Sequence, residues 1–402
     1  MKNHILLALL TLSITSGLFS EEQIFYSRLN EQHRYVEGGL FLDMSLANNA
    51  LSTPDIFHKH LVIDAKKINR AVPTAGNGWH LDFGMQNFLN ITPSRTWGIG
   101  GFVNADARFD MNVPKSFFKL LTEGNWKGQN DPIESALSRG TFTMSGAAFA
   151  ETGILGRYNQ GPLRINAGLA YFQPAFYLPK STVGYTLDTR ETLLMAINGN
   201  MNIYLPFNPE TGQYNNPGGG DLFLAAEYSL YDFVDFGASL SHIPIIPARL
   251  TNKISINFNT TIFEDDNIFD GIKEVTIPEL DNVVSTGERW VVRPLRFDVY
   301  ALLRPLRTDL LVIRPNIGFT ALNPSEETYF NWGLEGQLNL GKVFFLALNT
   351  GLEEGLWRHN LGFALNARII EFYLRAGLAS QDFVKSFQLT GFRLTTGVTI
   401  GF

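Results

Sequence analysis

The chain contains no cysteine. Disulfide staples, thiolate metal sites and lipid attachment through an N-terminal cysteine are therefore excluded. Charge is sparse as well: Asp, Glu, Lys and Arg make up 17% of the 402 residues, and their balance is -6. A surface that tracks nucleic-acid phosphates needs a basic excess, so no nucleic-acid partner is expected. Beyond residue 20 there is no run of about 18 apolar residues, which leaves no transmembrane helix. Catalytic patterns are missing too. There is no HExxH and no Gly-rich phosphate loop between a strand and a helix. Ser241 and His242 are adjacent and on a regular strand face opposite ways, while His359 lies on an apolar face beside Trp357 as an interfacial residue. No nucleophile–base–orienter set emerges, so neither an enzyme nor a cofactor is expected.

What the chain does have is aromatic side chains, 13% of the total, and a leader. Residues 1–20 carry Lys2, an apolar run from Ile5 to Leu12, and small residues near Ser16, Gly17 and Ser20. This is the layout of a secretory signal peptide. An exported chain without membrane helices is either soluble or a barrel.

Residues 97–113 favour the barrel. Trp97, Ile99, Gly101, Val103, Ala105, Ala107, Phe109, Met111 and Val113 share one face of a strand, and Asn104, Asp106, Arg108 and Asp110 lie on the other, because successive side chains alternate. Seventeen residues exceed the roughly 9–11 that a tilted strand needs to cross a bilayer. The pattern recurs from Asn77 to the terminus: Trp79, Leu81, Phe83 and Met85, then Leu163, Ile165, Ala167, Leu169 and Tyr171, and later Phe330, Trp332 and Leu334. A soluble sandwich alternates as well. The number and length of the repeats, with charge confined to one face and Trp97, Tyr158, Trp357 and Phe402 near strand ends, favour an all-β, closed antiparallel transmembrane barrel.

Three segments interrupt the pattern. Residues 21–76 read as an N-terminal plug or cap segment, with an ordinary first hairpin through Leu40, Leu42, Met44 and Leu46 as the competing reading. His58 and His60 within it read as solvated rather than metal-binding. Pro114 opens a helix with Phe117 and Phe118 in the connection 114–139, and residues 262–287 read as an acidic loop. Whether 234–261 is one strand or two stays open. The count is about 14 strands from Asn77 onward, or 16 if the Leu40 strand is added and 234–261 is split. Fourteen places the 114–139 connection on the side of the chain ends, where turns are normally short, and sixteen leaves the 206–220 loop there instead.

The leader, the amphipathic hairpins over 77–402 and the terminal Val398-Thr399-Ile400-Gly401-Phe402 resemble bacterial outer-membrane β-barrel proteins. Within that class, about fourteen strands behind an N-terminal segment resemble the long-chain fatty-acid transporter (FadL-like) porin family. The resemblance implies outer-membrane localisation and lipid contact. It also implies that barrel-assembly machinery recognises the last strand, through Phe392, Leu394, Val398, Ile400 and Phe402. No ligand residue carries over.

The inward faces supply the candidates for function. Asp106, Arg108, Glu151, Arg157, Arg164, Glu227, Arg296, Arg314, Glu335, Arg358, Arg375 and Arg393 are expected to line the lumen. They would either brace the wall by pairing or set up a transverse field across an aqueous pore. Phe102, Phe117, Phe118, Phe149, Phe172, Phe223 and Phe345 are expected to offer a greasy path to a hydrophobic solute. The expected function is a channel or transporter for small, hydrophobic, fatty-acid-like solutes. The alternative is a structural or adhesion barrel whose surface loops bind partners.

Overall fold

The computed structural model describes residues 34–52, 69–123, 137–188, 193–214, 217–264, 281–322, 327–341 and 343–402. Seventeen strands are described: β1 (Val36–Asn48), β2 (Asn77–Ile91), β3 (Trp97–Val113), β4 (Leu137–Gln160), β5 (Leu163–Asp188), β6 (Leu193–Leu205), β7 (Gly219–Tyr231), β8 (Val234–Ile246), β9 (Ala248–Glu264), β10 (Asp281–Val291), β11 (Leu295–Leu303), β12 (Leu311–Leu322), β13 (Glu327–Leu340), β14 (Phe344–Glu353), β15 (Leu356–Asn366), β16 (Ile370–Ser380) and β17 (Gly391–Gly401). Among the described residues, the helices α1 (Lys115–Glu123) and the single turn α2 (Phe383–Ser386) lie in the connections, and residues 69–71 are helical too. No described helix is long and apolar enough to cross a membrane.

Fourteen strands close a ring in the order β1-β2-β3-β4-β5-β7-β8-β11-β12-β13-β14-β15-β16-β17, every pair antiparallel, and β17 returns to β1 over Glu37–Gly401 to Ala47–Gly391. Closure leaves no unpaired edge in the wall, which is what a sheet needs in hydrocarbon. The outer face is apolar and bare: Ile99 is 53% exposed, Ile317 57%, Leu348 63% and Leu361 52%, whereas inward Asn104, Glu151 and Arg358 are buried. An apolar outside around a polar inside is the pattern of a transmembrane barrel.

Fourteen is the expected number, but the membership differs from the expectation. β1 is a wall strand, so Val36–Asn48 of the supposed plug segment does not plug the lumen. Its alternate residues Leu40, Leu42 and Met44 are exposed on the outer face, and its backbone is needed to close the ring. Residues 1–33 and 53–68, including the leader, His58 and His60, lie outside the described residues. With β1 in the ring, the short connections 92–96, 161–162, 232–233, 304–310, 341–343 and 367–369 all fall at the end where β1 starts and β17 finishes, the terminal end. The longer connections 49–76, 114–136 and 381–390 fall at the far end. The 114–139 connection is therefore far-end rather than on the side of the chain ends, and α1 occupies it as anticipated.

β6, β9 and β10 stand outside the ring and raise one side of the wall at the far end. β5 pairs with β7 over Leu163–Phe172 and then with β6 over Tyr177–Asp188. β9 continues β8 beyond Pro247 and lies between β6 and β10, and β10 runs into β11 through 292–294. The 234–261 segment is thus two strands, because β8 serves β7 and β11 while β9 serves β6 and β10. Strand pairing extends to Glu264 and resumes at Asp281, which shortens the expected acidic loop at both ends.

Candidate functional site: a charged septum across the lumen

The β14–β15 turn carries two consecutive acids, Glu353 and Glu354, and both point into the ring. Glu353 forms ion pairs with three arginines of three strands: Arg296 Nη2 of β11 at 3.1 Å, Arg358 Nη1 of β15 at 3.3 Å and Arg393 Nη1 of β17 at 3.1 Å. Each arginine also holds an acid of the wall. Arg296 Nε lies 2.9 Å from Asp298, Arg358 Nη2 lies 3.1 Å from Asp82, and Arg393 Nη2 lies 3.0 Å from Asp43. Thr395 donates to the same Asp43 at 2.6 Å. Glu354 pairs with Arg108 of β3, whose Nε also holds Asp110 at 2.8 Å. β3 and β14 are six strands apart by the shorter way around a ring of fourteen, so this pair crosses the lumen close to its diameter.

The four residues of the Glu353 cluster separate two cavities. One, of about 140 Å³, lies on the terminal side among Arg314, Glu335, Gln337, Phe345, Tyr373 and Thr399. The other, of about 200 Å³, lies on the far side among Asp106, Arg108, Asp110, Ser145, Phe149 and Arg293. Glu353, Arg296, Arg358 and Arg393 line both. Four arginines and six carboxylates are thus paired in one layer of side chains at the boundary between the two cavities.

A second buried cluster sits where β10 turns into β11. Arg293, 2% exposed, approaches Glu151 at 2.5 Å, Asp106 at 3.6 Å and Asp221 at 3.8 Å. Glu151, Asp221 and His242 lie close enough together to hold a metal ion, but the Arg293 guanidinium already supplies a cation there. His242 reaches this cluster because β8 is bulged opposite Phe223 and His242 takes φ 56°. The regular alternation that sends Ser241 and His242 to opposite faces is therefore interrupted at this pair. His242 Nδ1 lies 2.9 Å from the carbonyl of Pro294.

The remaining charged candidates have partners on neighbouring strands, except that Arg375 of β16 reaches over β14 and β15 to Glu335 of β13. Arg164 meets Glu227 at 2.7 Å, Arg375 meets Glu335 at 3.0 Å, Arg157 donates to Asn166 at 3.2 Å, and Arg314 stacks over Tyr300 at 5.1 Å. The phenylalanines separate into groups. Phe102 and Phe223 meet edge to face at 5.6 Å in a cluster with Phe41 and Phe88. Phe149 and Phe172 do so at 6.0 Å, beneath Leu250 and Val291. Phe117 packs on Phe142 at 5.0 Å, and Phe118 is half-buried on the same helix α1. Only Phe149 and Phe345 of the seven border the two cavities. Of the terminal residues, Leu394, Ile400 and Phe402 are exposed on the outer face and Phe392 and Val398 are half-buried. His359 lies between Thr350 Oγ1 at 2.8 Å and Ser386 Oγ at 2.9 Å, stacked on Phe387.

Sequence reasoning missed Glu353 and Glu354 as the centre of the site, and Arg293 altogether. Glu353-Glu354-Gly355 is a turn by composition, and turns are expected to face water. An arginine directly before Pro294 at the end of an apolar stretch was the one available signal for Arg293.

No protein-family model matches the chain, and no curated protein matches it. Solved structures do. The "TodX deltaS2S3 mutant monoaromatic hydrocarbon channel" superposes with a TM-score of 0.51 at 10% identity, covering 96% of both chains. The Ralstonia pickettii toluene transporter TbuX superposes with a TM-score of 0.52 at 9% identity, covering 96% of this chain and 95% of that one. What this chain shares with the two channels is its fold, a closed antiparallel barrel of fourteen strands.

Proposed function

We propose that the chain is an outer-membrane transport protein for a small hydrophobic solute, exported by its leader and inserted by barrel-assembly machinery that reads the last strand. The short turns at the terminal end are then periplasmic and the long connections face outside. The observation that carries the reading is the lumen itself: two cavities stacked along the axis and parted by one layer of side chains. A barrel that only braced a membrane has no need of space on both sides of a single barrier. The two channels of like fold are, by their names, for monoaromatic hydrocarbon and for toluene, which favours an apolar solute. Long-chain fatty acids are the finer form of the same proposal. Phe149 on one side and Phe345 on the other offer the apolar contacts, and the charged septum is the barrier.

The test is uptake of radiolabelled toluene and of a long-chain fatty acid by intact cells that lack their own channels for either. Faster uptake of at least one on expressing the chain is expected. Vector-level uptake of both, with the protein folded in the outer membrane, overturns the reading. That result favours a surface-binding barrel, whose motivating feature is the three-strand extension β6, β9 and β10 at the far end.

A further inference from the structure

The β14–β15 hairpin is shorter than its neighbour. Its last pair with β13 is Trp332–Leu352, while β13 runs on to Glu327. Glu354 and Gly355 take φ of 52° and 78°, the left-handed pair of a tight two-residue turn. The Glu354 N–H donates to Asn331 Oδ1 at 2.9 Å, which ties the tip to the part of β13 beyond the last pair. One short tip thus delivers the carboxylates that meet Arg296, Arg393 and Arg108 from the rest of the ring.

Removing one partner of a buried ion pair is costly because the other charge is left uncompensated. The septum is built without that cost. If the tip leaves, Arg296 keeps Asp298, Arg393 keeps Asp43 and Arg108 keeps Asp110, all within 3.1 Å. Arg358, on the hairpin itself, holds Asp82 at 3.1 Å. The two glutamates would move toward the far mouth and water. The three arginines outside the hairpin, Arg108, Arg296 and Arg393, therefore keep a carboxylate of the wall in both arrangements, which favours a two-state element with a small energy gap.

We infer that the tip of the β14–β15 hairpin is the gate of the lumen, with Glu353 and Glu354 as its latch. The inference rests on the transport reading, and it assigns the moving part. The hairpin tip opens the passage between the two cavities, while the wall and its paired arginines stay in place.

Potassium chloride conductance in planar bilayers tests the gate separately from the solute. Wild type is expected to conduct little, the E353Q/E354Q variant several-fold more, and E288Q, at an exposed pair with Arg249 in the extension, no more than wild type. R108C/E354C supplies both states in one folded protein, since the natural chain has no cysteine. Reduced, with Glu353 still paired, it is expected to conduct more than wild type and less than E353Q/E354Q, and bridged by a bifunctional thiol cross-linker it is expected to return to the wild-type level. Wild-type conductance from both E353Q/E354Q and reduced R108C/E354C overturns the gate, as does raised conductance that cross-linking leaves unchanged. Toluene and fatty-acid uptake by the wild type reports on the transport reading alone. Normal uptake with an unresponsive conductance removes the gate and keeps that reading; a responsive conductance without uptake of either solute does the reverse.

Discussion

The ring of Phe41 on β1 occupies the space in which Gly397 on β17 would carry a side chain, and a Cβ built there overlaps the ring. Gly397 and Phe41 are register partners across the seam that closes the barrel. Glycine is required here by close approach, since its backbone is ordinary. Replacing Gly397 with Val should displace Phe41 from its stack with Phe88, whose ring centroid is 6.1 Å away. Overpacking of this kind costs about 1–3 kcal/mol, to be read from urea unfolding in detergent micelles. An unchanged unfolding midpoint would mean that the seam is not packed as described.

Arg293 pairs with Glu151, Asp106 and Asp221 at once. Arg293→Ala leaves buried carboxylates facing one another and should lower stability by about 3–5 kcal/mol, the usual consequence of breaking a buried pair. Adding Glu151→Gln should recover part of the loss, because one of the opposed charges is removed. The check is a double-mutant cycle on the unfolding free energy, and simple additivity of the two changes would contradict the pairing.

At the chain end, Phe402 extends the closing seam through its backbone. Its carbonyl accepts from Tyr35 at 2.7 Å and Val36 at 3.1 Å, and its N–H donates to Val36 at 3.0 Å. Deleting Phe402 removes these bonds and the most exposed aromatic of the last strand. The expected outcome is less folded barrel in the outer membrane, seen as a smaller share of the heat-modifiable form on gels. Phe402→Tyr, which keeps the backbone and the ring, should assemble normally.

Lys385 on α2 donates from Nζ to the carbonyls of Asn49 and Ala71, both at 2.7 Å. It pins the far-end connection after β1 to the connection before β17. Lys385→Met should speed protease cleavage in these far-end segments while leaving the unfolding midpoint of the barrel unchanged. Equal cleavage rates would show that the strap carries no load.

The wall was legible from sequence because its cause is local: period-two alternation over long strands survives whatever the neighbours are. β3 is read correctly end to end, and so is the apolar face of β17. The ring order was not legible. β6 and β7 both follow β5, and only the third dimension says that each takes half of its length. The site was half legible for a similar reason. Alternation assigns Arg108, Arg296, Arg358 and Arg393 to the inside, but what they converge on is a turn. The inward fold of Glu353 and Glu354 follows from β14 and β15 being short relative to β13, a comparison between strands that no single segment contains. The bulge at His242 likewise depends on the pairing of β8 with β7.

The most direct measurement of the septum is thiol labelling from outside intact cells, using a charged, membrane-impermeant reagent on a chain with no native cysteine. Ser145 borders the far-side cavity and Ala347 the terminal-side one. The account predicts that Ser145→Cys is labelled quickly, and that Ala347→Cys is protected until Glu353 and Glu354 are both replaced with Gln. Labelling of Ala347→Cys as fast as Ser145→Cys, with both glutamates in place, would contradict it.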